Sequence, residues 1–393
     1  MISVAEALDR LFALVDPLET EDVPLTAALG RVLARPVTAL RDQPPFAASA
    51  MDGYAITQND ARPGARLTVT AAAAAGARAG AAVTPGHAIR IFTGAPVPAG
   101  ADLVILQEDV TAAGGGITLG PRVDTRPGAN IRPAGNDFRT GAALAAPRRL
   151  SPADIALAAA MGHARLPVTR APDVALIATG NELVAPGEVP GPDQITASNS
   201  YGLFALLTAL GARPRLLPIA RDDMGSLAQS FALAHGADLI VTIGGASVGD
   251  HDLVARAAAD AGMEPTFHKV AMRPGKPLMA GRLAGTALLG LPGNPVSAMV
   301  CGHVFMAPVI RRLMGLPAAP APRRRARLAT DLPPNGPREH YLRARHDGTG
   351  VTPFARQDSS LLTLLAAADC LIVQPADDPG RPAGAEIDII AFE

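Results

Sequence analysis

"TALLGLPGNPVSAMVCGHVFMAPVI", residues 286–310, holds no Asp, Glu, Lys or Arg and is long enough by composition to cross a bilayer. A spanning helix needs about 20 consecutive apolar residues, yet Pro292, Gly293, Asn294 and Pro295 interrupt the first half of this one. Proline removes a backbone donor and clashes with the preceding turn, and glycine costs roughly 1 kcal/mol relative to alanine in a helix. The run therefore reads as a strand, "TALLGL", a tight turn, "PGNP", and a buried helix with Asn294 as N-cap and Pro295 at its first position. With this run reassigned, no other uncharged segment is long enough to span.

Outward from that run, residues 173–314 alternate short apolar stretches with helical ones. "DVALIATG" reads as a strand ending in Gly180. "SNSYGLFALLTALG" reads as a helix with Ser198 or Ser200 near its start and Gly211 after its end. "RPRLLPIARDD" is a strand running into acids, "MGSLAQSFALAHG" a helix closed by Gly236, "ADLIVTIGG" a strand, and "HDLVARAAADAG" a helix closed by Gly262. "MEPTFHKVAM" and "TALLGL" supply two more strands. Such alternation predicts a doubly wound parallel α/β domain over 171–317, with ligands bound at the carboxyl ends of the strands.

The rest of the chain divides around it. Residues 1–44 and 139–170 read as a helical N-terminal and linker domain. The first places Val4, Leu8, Leu11, Phe12 and Val15 on one helical face, and the second offers Ser151 as a cap and Pro152 in a first turn. Between them, 45–138 is rich in Gly, Pro and short β-prone runs, which predicts an inserted β-rich domain. "GLPAAPAPRRR" reads as a Pro/Ala linker, with "RRRAR" (323–327) as a solvated cluster, and 318–393 as a small C-terminal β-domain.

The 393 residues carry 35 Lys and Arg against 36 Asp and Glu, a formal charge of −1, which offers no field for nucleic acid or anionic lipid. Cys301 and Cys370 are too few for a zinc or disulfide framework and read as small core residues. No apolar signal region follows a basic start at the N-terminus. The expectation is a soluble cytoplasmic protein with neither membrane nor nucleic acid as partner.

Four loops of the α/β unit should meet on one rim. The first carries Thr179, Gly180, Asn181 and Glu182, and the second Arg221, Asp222 and Asp223. The third carries Gly244, Gly245, Ser247, Gly249, Asp250 and Asp252, and the fourth is the PGNP turn. Beside them "KVAMRPGKP" supplies Lys269, Arg273 and Lys276. Glycines and exposed backbone donors suit phosphate-like groups, and rim carboxylates suit Mg²⁺ that bridges to phosphate. That division of labour points to a phosphorylated substrate. Asp222, Asp223 and Asp252 equally suit helix caps or first-turn acids. His251 and His268 lie near the rim as ordinary loop histidines. No G-x-G-x-x-G after a strand and no P-loop is present, so neither a dinucleotide fold nor a P-loop enzyme is supported. Outside the α/β unit, "SAMDGYA" presents Asp52 in a turn, and "RIFTGAPVPAGAD" ends a strand at Thr93 and Gly94, then stiffens the loop with Pro96 and Pro98.

Taken in order, "SAMDGYA", "RIFTGAPVPAGADLV", "TGNELV", "GGASVGDHD", "KVAMRPGKP" and "LPGNPVSA" resemble the molybdopterin molybdenumtransferases of molybdenum-cofactor synthesis over nearly the whole chain. The glycine-rich block recurs in the related molybdopterin adenylyltransferases, which resemble the α/β unit alone. The resemblance implies that molybdate is inserted into adenylylated molybdopterin with Mg²⁺ assisting and AMP leaving. It carries functional positions to Asp52, Thr93, Arg132 and Asp137, and to Glu182, Asp222, Asp252, Lys269, Arg273, Pro292 and Pro295. In the tail it reaches Arg338 of "PREHYLRA" and Ser359 or Ser360 of "RQDSS". Glu182 and Asp252 are the expected Mg²⁺ ligands, with Ser247, Asp250, Lys276, Gly293 and Asn294 among the substrate contacts. Family members are similar in being elongated homodimers whose α/β site faces the inserted domain of the other subunit, which would bring Asp52 and Thr93 in trans. Contact with the adenylyltransferase is a further expected partnership. Two departures stand out: Ala47 and Ala48 occupy the place of a common Asp-Asn pair, and Arg273 stands where some members have Lys, a change that keeps the charge and alters donor geometry.

Overall fold

A computed structural model describes residues 1–245 and 253–392. Its α/β sheet has six strands in the order Arg213–Leu216, Asp173–Ala178, Leu239–Ile243, Thr286–Leu291, Pro277–Leu283 and Glu264–Lys269. The first four run parallel. Side chains alternate across them as a strand's period of two requires. Val174 and Leu176 face a core shared with Leu203, Leu207, Val296 and Ile310, whereas Ala175 and Ile177 face one shared with Leu227, Phe231, Val254 and Ala257. Helices Asn199–Leu210 and Pro295–Cys301 therefore cover one face, and Met224–Leu233 and Leu253–Asp260 the other, which is the doubly wound arrangement.

The sheet is not wholly parallel. Pro277–Leu283 runs antiparallel to both neighbours and is joined to Thr286–Leu291 through Ala284 and Gly285, both at positive φ. Two such residues make the primed turn that suits a tight hairpin. This strand follows directly on the "RPGKP" segment, and its path brings Lys276 to the rim.

The opening run folds as its prolines dictate. Strand Thr286–Leu291 ends at the turn, Asn294 stands at the N-cap position of helix Pro295–Cys301 without a side-chain capping bond, Pro295 is in the first turn, and the helix continues through a π segment, Gly302–Met306, into Ala307–Leu313. Pro308 has no N–H to return to the preceding turn, and the wider π turn precedes it. Helix Pro295–Leu313 is long and apolar enough to cross a membrane by length and composition, but 78% of its most apolar window is buried inside the protein.

The flanks depart from the helical reading. Each segment contributes one helix, Val4–Phe12 and Pro152–Ala160, the second with a capping box between Ser151 and Asp154. The remainder includes a four-stranded antiparallel sheet in which Thr20–Pro24 pairs with Arg165–Thr169 across the whole inserted domain, and a separate pairing of Val37–Thr38 with Ala143–Leu144. Val4, Leu8 and Leu11 pack into the α/β core itself. The insertion is β-rich, with a six-stranded sheet that includes Gly53–Ile56 between Leu103–Leu106 and His87–Ile91.

The C-terminal sheet runs Met272–Arg273, Glu339–His346, Cys370–Gln374, Glu386–Ala391, Arg324–Arg327. Its first strand comes from the α/β part of the chain. "RRRAR" is thus an edge strand and not a linker: Arg325 pairs with Asp388 at 3.2 Å and Arg323 with Glu339 at 3.0 Å. Edge strands are commonly blunted by such charges.

Candidate functional site

A cleft of about 800 Å³ opens at the carboxyl ends of Asp173–Ala178, Leu239–Ile243 and Thr286–Leu291. Three of the expected loops and the PGNP turn meet there: Thr179, Gly180 and Glu182, then Asp222, then Gly244 and Gly245, then Pro292, Gly293, Asn294 and Pro295, with Lys276 beside them. Ser247, Asp250, His251 and Asp252 lie outside the described residues.

Backbone approaches backbone closely here. A Cβ on Gly244 would lie 2.7 Å from the Thr179 carbonyl, and one on Gly293 would lie 3.4 Å from Gly244 Cα. At Gly180, with φ +147°, a Cβ would fall 2.3 Å from Glu182 Oε2. The Glu182 carboxylate thus folds over a glycine that leaves it room. Asp222 is tied to the same loop by a reciprocal pair: it accepts from the Asn181 N–H at 3.2 Å, and its own N–H donates to Asn181 Oδ1 at 3.1 Å. Asp223, by contrast, is a helix cap and accepts from the Ser226 N–H at 2.8 Å.

The PGNP turn is less free to bind an anion than its sequence suggests. The Val296 N–H donates to the carbonyl of Ser359 at 3.0 Å, so one donor of the first helical turn is occupied from the C-terminal domain. Asn199 Nδ2 holds the other side of the turn through the Gly293 carbonyl at 2.7 Å. Asn199, with Thr196 and Ser198 of "TASNS", lines the cleft. Sequence reasoning assigned this stretch only a helix start, although four small polar residues before an apolar helix were a usable signal.

The basic triplet splits. Lys276 lines the cleft, whereas Lys269 and Arg273 do not. Lys269 is exposed at the end of Glu264–Lys269. Arg273 pairs in register with His340 in the C-terminal sheet, because "RPGKP" starts as a strand of that sheet. His340 is buried, and its pKa is pushed down to about 4, chiefly by burial and then by Arg273, Arg338 and Arg343. Arg273 and Arg338 are thereby gathered at the seam of the two domains.

In the inserted domain, Asp52 and Thr93 meet although 41 residues separate them. The Thr93 N–H and hydroxyl each donate to Asp52 Oδ1 at 2.7 Å and hold the carboxyl below the usual carboxylate range, the N–H contributing most. Exposed Met51 and Phe92 flank the pair, and the Arg90 guanidinium lies 4.8 Å from the Phe92 ring centre. Neither Asp52 nor Thr93 lines the cleft. Arg132 and Asp137 are exposed later in the same inserted segment, with Arg132 opposite the buried Ala48 in a two-stranded pairing. They too lie off the cleft of their own chain.

Among the described residues no group of three His, Cys, Asp or Glu side chains could hold a metal ion. The cleft offers Glu182 and Asp222. Such a pair fits Mg²⁺, which is held by one or two carboxylates together with substrate phosphates and water.

Three family models match the chain: MoeA N-terminal region (domain I and II) over residues 2–162, probable molybdopterin binding domain over 175–312, and MoeA C-terminal region (domain IV) over 325–392. A molybdopterin molybdenumtransferase 2 of Mycobacterium tuberculosis is 39% identical, covering 93% of this chain and 94% of that protein. A molybdopterin molybdenumtransferase of Nostoc sp. is 35% identical over 99% of this chain and 94% of its own length. The crystal structure of a molybdopterin biosynthesis MoeA protein from Pyrococcus horikoshii superposes with a TM-score of 0.84 at 30% identity, covering 100% of this chain and 99% of that one.

Proposed function

Because this chain belongs to the MoeA family of molybdopterin molybdenumtransferases, we propose that its cleft binds adenylylated molybdopterin and that molybdate is inserted at the dithiolene as the phosphoanhydride is cleaved and AMP leaves. The observation that carries this reading is the cleft at the ends of three parallel strands, where backbone of Gly180, Gly244, Gly245 and Gly293 surrounds Glu182, Asp222 and Lys276. Closely approached backbone suits phosphate oxygens, and a positioned ammonium suits the charge that moves when an anhydride breaks.

In this reading Lys276 binds the phosphates, and Arg273 and Arg338 at the adjoining seam attract molybdate. Pro292 and Pro295 keep Gly293 and Asn294 rigid against the substrate. Glu182 and Asp222, both lining the cleft, would hold Mg²⁺, a role the sequence resemblance also gives to Asp252. When bound, the ion supplies charge neutralisation at the anhydride. Asp52 and Thr93, with Arg132 and Asp137, serve the cleft of a second copy, so the working unit is a homodimer. That Thr93, Arg132 and Asp137 are exposed, and that none of the four lines the cleft described above in its own chain, supports this. The protein would act in the cytoplasm, receiving its substrate from the adenylyltransferase.

The test is to supply adenylylated molybdopterin and Mg²⁺ with either molybdate or tungstate, then measure AMP release and bound metal. Metal-dependent AMP release with loading of the pterin is expected. Net adenylylation of molybdopterin from ATP, without need for molybdate, would overturn the assignment.

A further inference from the structure

Arg343 is the largest fully buried side chain among the described residues, 1% exposed. It makes no ion pair with a carboxylate among them. A buried guanidinium left in that state is costly unless hydrogen bonds satisfy it. Here Nε and Nη1 are each bonded, and both bonds run to one loop. Arg343 Nε donates to Gln357 Oε1 at 3.2 Å, its backbone N–H donates to the same oxygen at 3.0 Å, and Nη1 donates to the Leu361 carbonyl at 3.2 Å. Gln357 Nε2 returns two bonds, to the carbonyls of Arg343 and Phe354, both at 2.9 Å.

The loop so held reaches the helix that starts at the cleft. Between its anchors, Asp358 Oδ1 accepts from the Ser360 N–H and hydroxyl at 2.8 and 2.6 Å, and the Ser359 carbonyl accepts the Val296 N–H directly after the PGNP turn. The strand that carries Arg343, Glu339–His346, also pairs with Met272–Arg273. From there the chain continues to Gly275, where a Cβ would come 2.4 Å from Cys301 Sγ in the same helix. One strand of the C-terminal sheet thus grips the cleft's helix from two sides.

We propose that Arg343 is a positioning residue for the transferase site: it holds the Gln357–Leu361 loop against the first turn of helix Pro295–Cys301 and thereby fixes the PGNP turn that lines the cleft. This rests on the reading of the cleft given above. Lysine at 343 keeps the charge but cannot fork to Gln357 and Leu361 together. Leucine at 357 removes the loop's half of the hold.

The experiment compares full-length wild type with Arg343→Lys, Gln357→Leu and the double variant. Amide hydrogen exchange at Val296 reads the contact without substrate, and kcat and KM with adenylylated molybdopterin and molybdate read its use. Both single variants should speed exchange at Val296 roughly tenfold and lower kcat/KM roughly tenfold, since small misplacements in a site cost that much or more. The double variant should lose no more than the worse single one, as expected of residues acting through one contact. Exchange at Val296 unchanged in both variants overturns the proposal whatever the activity. So does faster exchange with wild-type kcat/KM, or losses that multiply in the double variant. A wild-type protein that releases no AMP would instead overturn the reading of the cleft, and Val296 exchange would still report whether Arg343 holds the loop.

Discussion

Thr93 grips the Asp52 carboxylate at a single oxygen, Oδ1, with its backbone N–H and its hydroxyl both at 2.7 Å. The same double hold joins Thr140 to Asp42, at 2.8 and 2.9 Å, so the motif alone is a way of closing a loop. What distinguishes Asp52 is its setting beside exposed Met51 and Phe92 on the inserted domain.

Thr93→Val removes the hydroxyl donor and leaves the N–H. The Asp52 carboxyl, now held low by both donors, should then titrate closer to the ordinary value of about 3.9. Asp52 is ionised at pH 7 in either case. Any loss of turnover in Thr93→Val at that pH therefore reports carboxylate placement and not charge. Carboxyl-detected NMR titration checks the first point, and an unmoved Asp52 would remove the hydroxyl from the account.

Glu182→Gln and Asp252→Asn each delete a carboxylate assigned to Mg²⁺ and the anhydride. Molybdate-dependent AMP release should fall roughly 100-fold or more, the range seen when an electrostatic group of a transition state is lost. Circular dichroism and thermal melting should match wild type. Unchanged turnover in both variants would show the site to be misplaced.

Gly180→Ala tests the glycine beneath Glu182. The added Cβ would sit 2.3 Å from Glu182 Oε2 at a φ of +147°, where a side chain is strained by about 1–3 kcal/mol. The carboxylate is the free end of a flexible chain and can swing aside, so the fold should survive with a modest drop in melting temperature. Turnover should fall far more than stability does. Equal activity in the alanine variant would mean that the Glu182 position is not needed.

Much of this was legible in the sequence because it is local. Pro292, Asn294 and Pro295 announce a strand, turn and helix start within ten residues, and glycines 211, 236 and 262 mark helix ends by their need for positive φ. What stayed hidden was set by partners far away. Thr20–Pro24 is a strand only because Arg165–Thr169 lies beside it. "RRRAR" becomes a strand through Asp388 and Glu339. Arg273 was read with Lys276 from their spacing, yet the strand pairing of Met272–Arg273 turns Arg273 toward His340 and separates the two. The occupation of the Val296 N–H by Ser359, 63 positions later, has no sequence signal.

His340 should make the fold sensitive to mild acid. Its folded pKa is about 4, against 6.5 as its reference, so below about pH 6.5 the unfolded chain takes up a proton that the folded chain refuses. The contribution of neutral His340 is fully present above that pH and is lost as pH falls towards 4. The full loss is on the order of 3 kcal/mol. Urea unfolding at pH 7 and pH 5 should show wild type weakening by more than His340→Gln. A parallel decline in the two proteins would place the acid sensitivity elsewhere.

The homodimer reading makes a sharper demand on activity than on mass. If Asp52 and Thr93 serve the partner's cleft, then Asp52→Asn and Glu182→Gln chains damage different halves of each composite site. A heterodimer of the two keeps one site with both lesions and one with neither. Subunits that exchange freely would give heterodimers as about half of the population, so mixing two inactive variants should restore about a quarter of wild-type AMP release. Mixing either variant with itself restores nothing. Recovery absent from a mixture shown by native mass spectrometry to contain heterodimers would confine Asp52 to its own chain's cleft, whereas an Asp52→Asn chain that is active alone would exclude it from the chemistry. In this structure the first alternative requires the inserted domain to move, because Asp52 does not line that cleft.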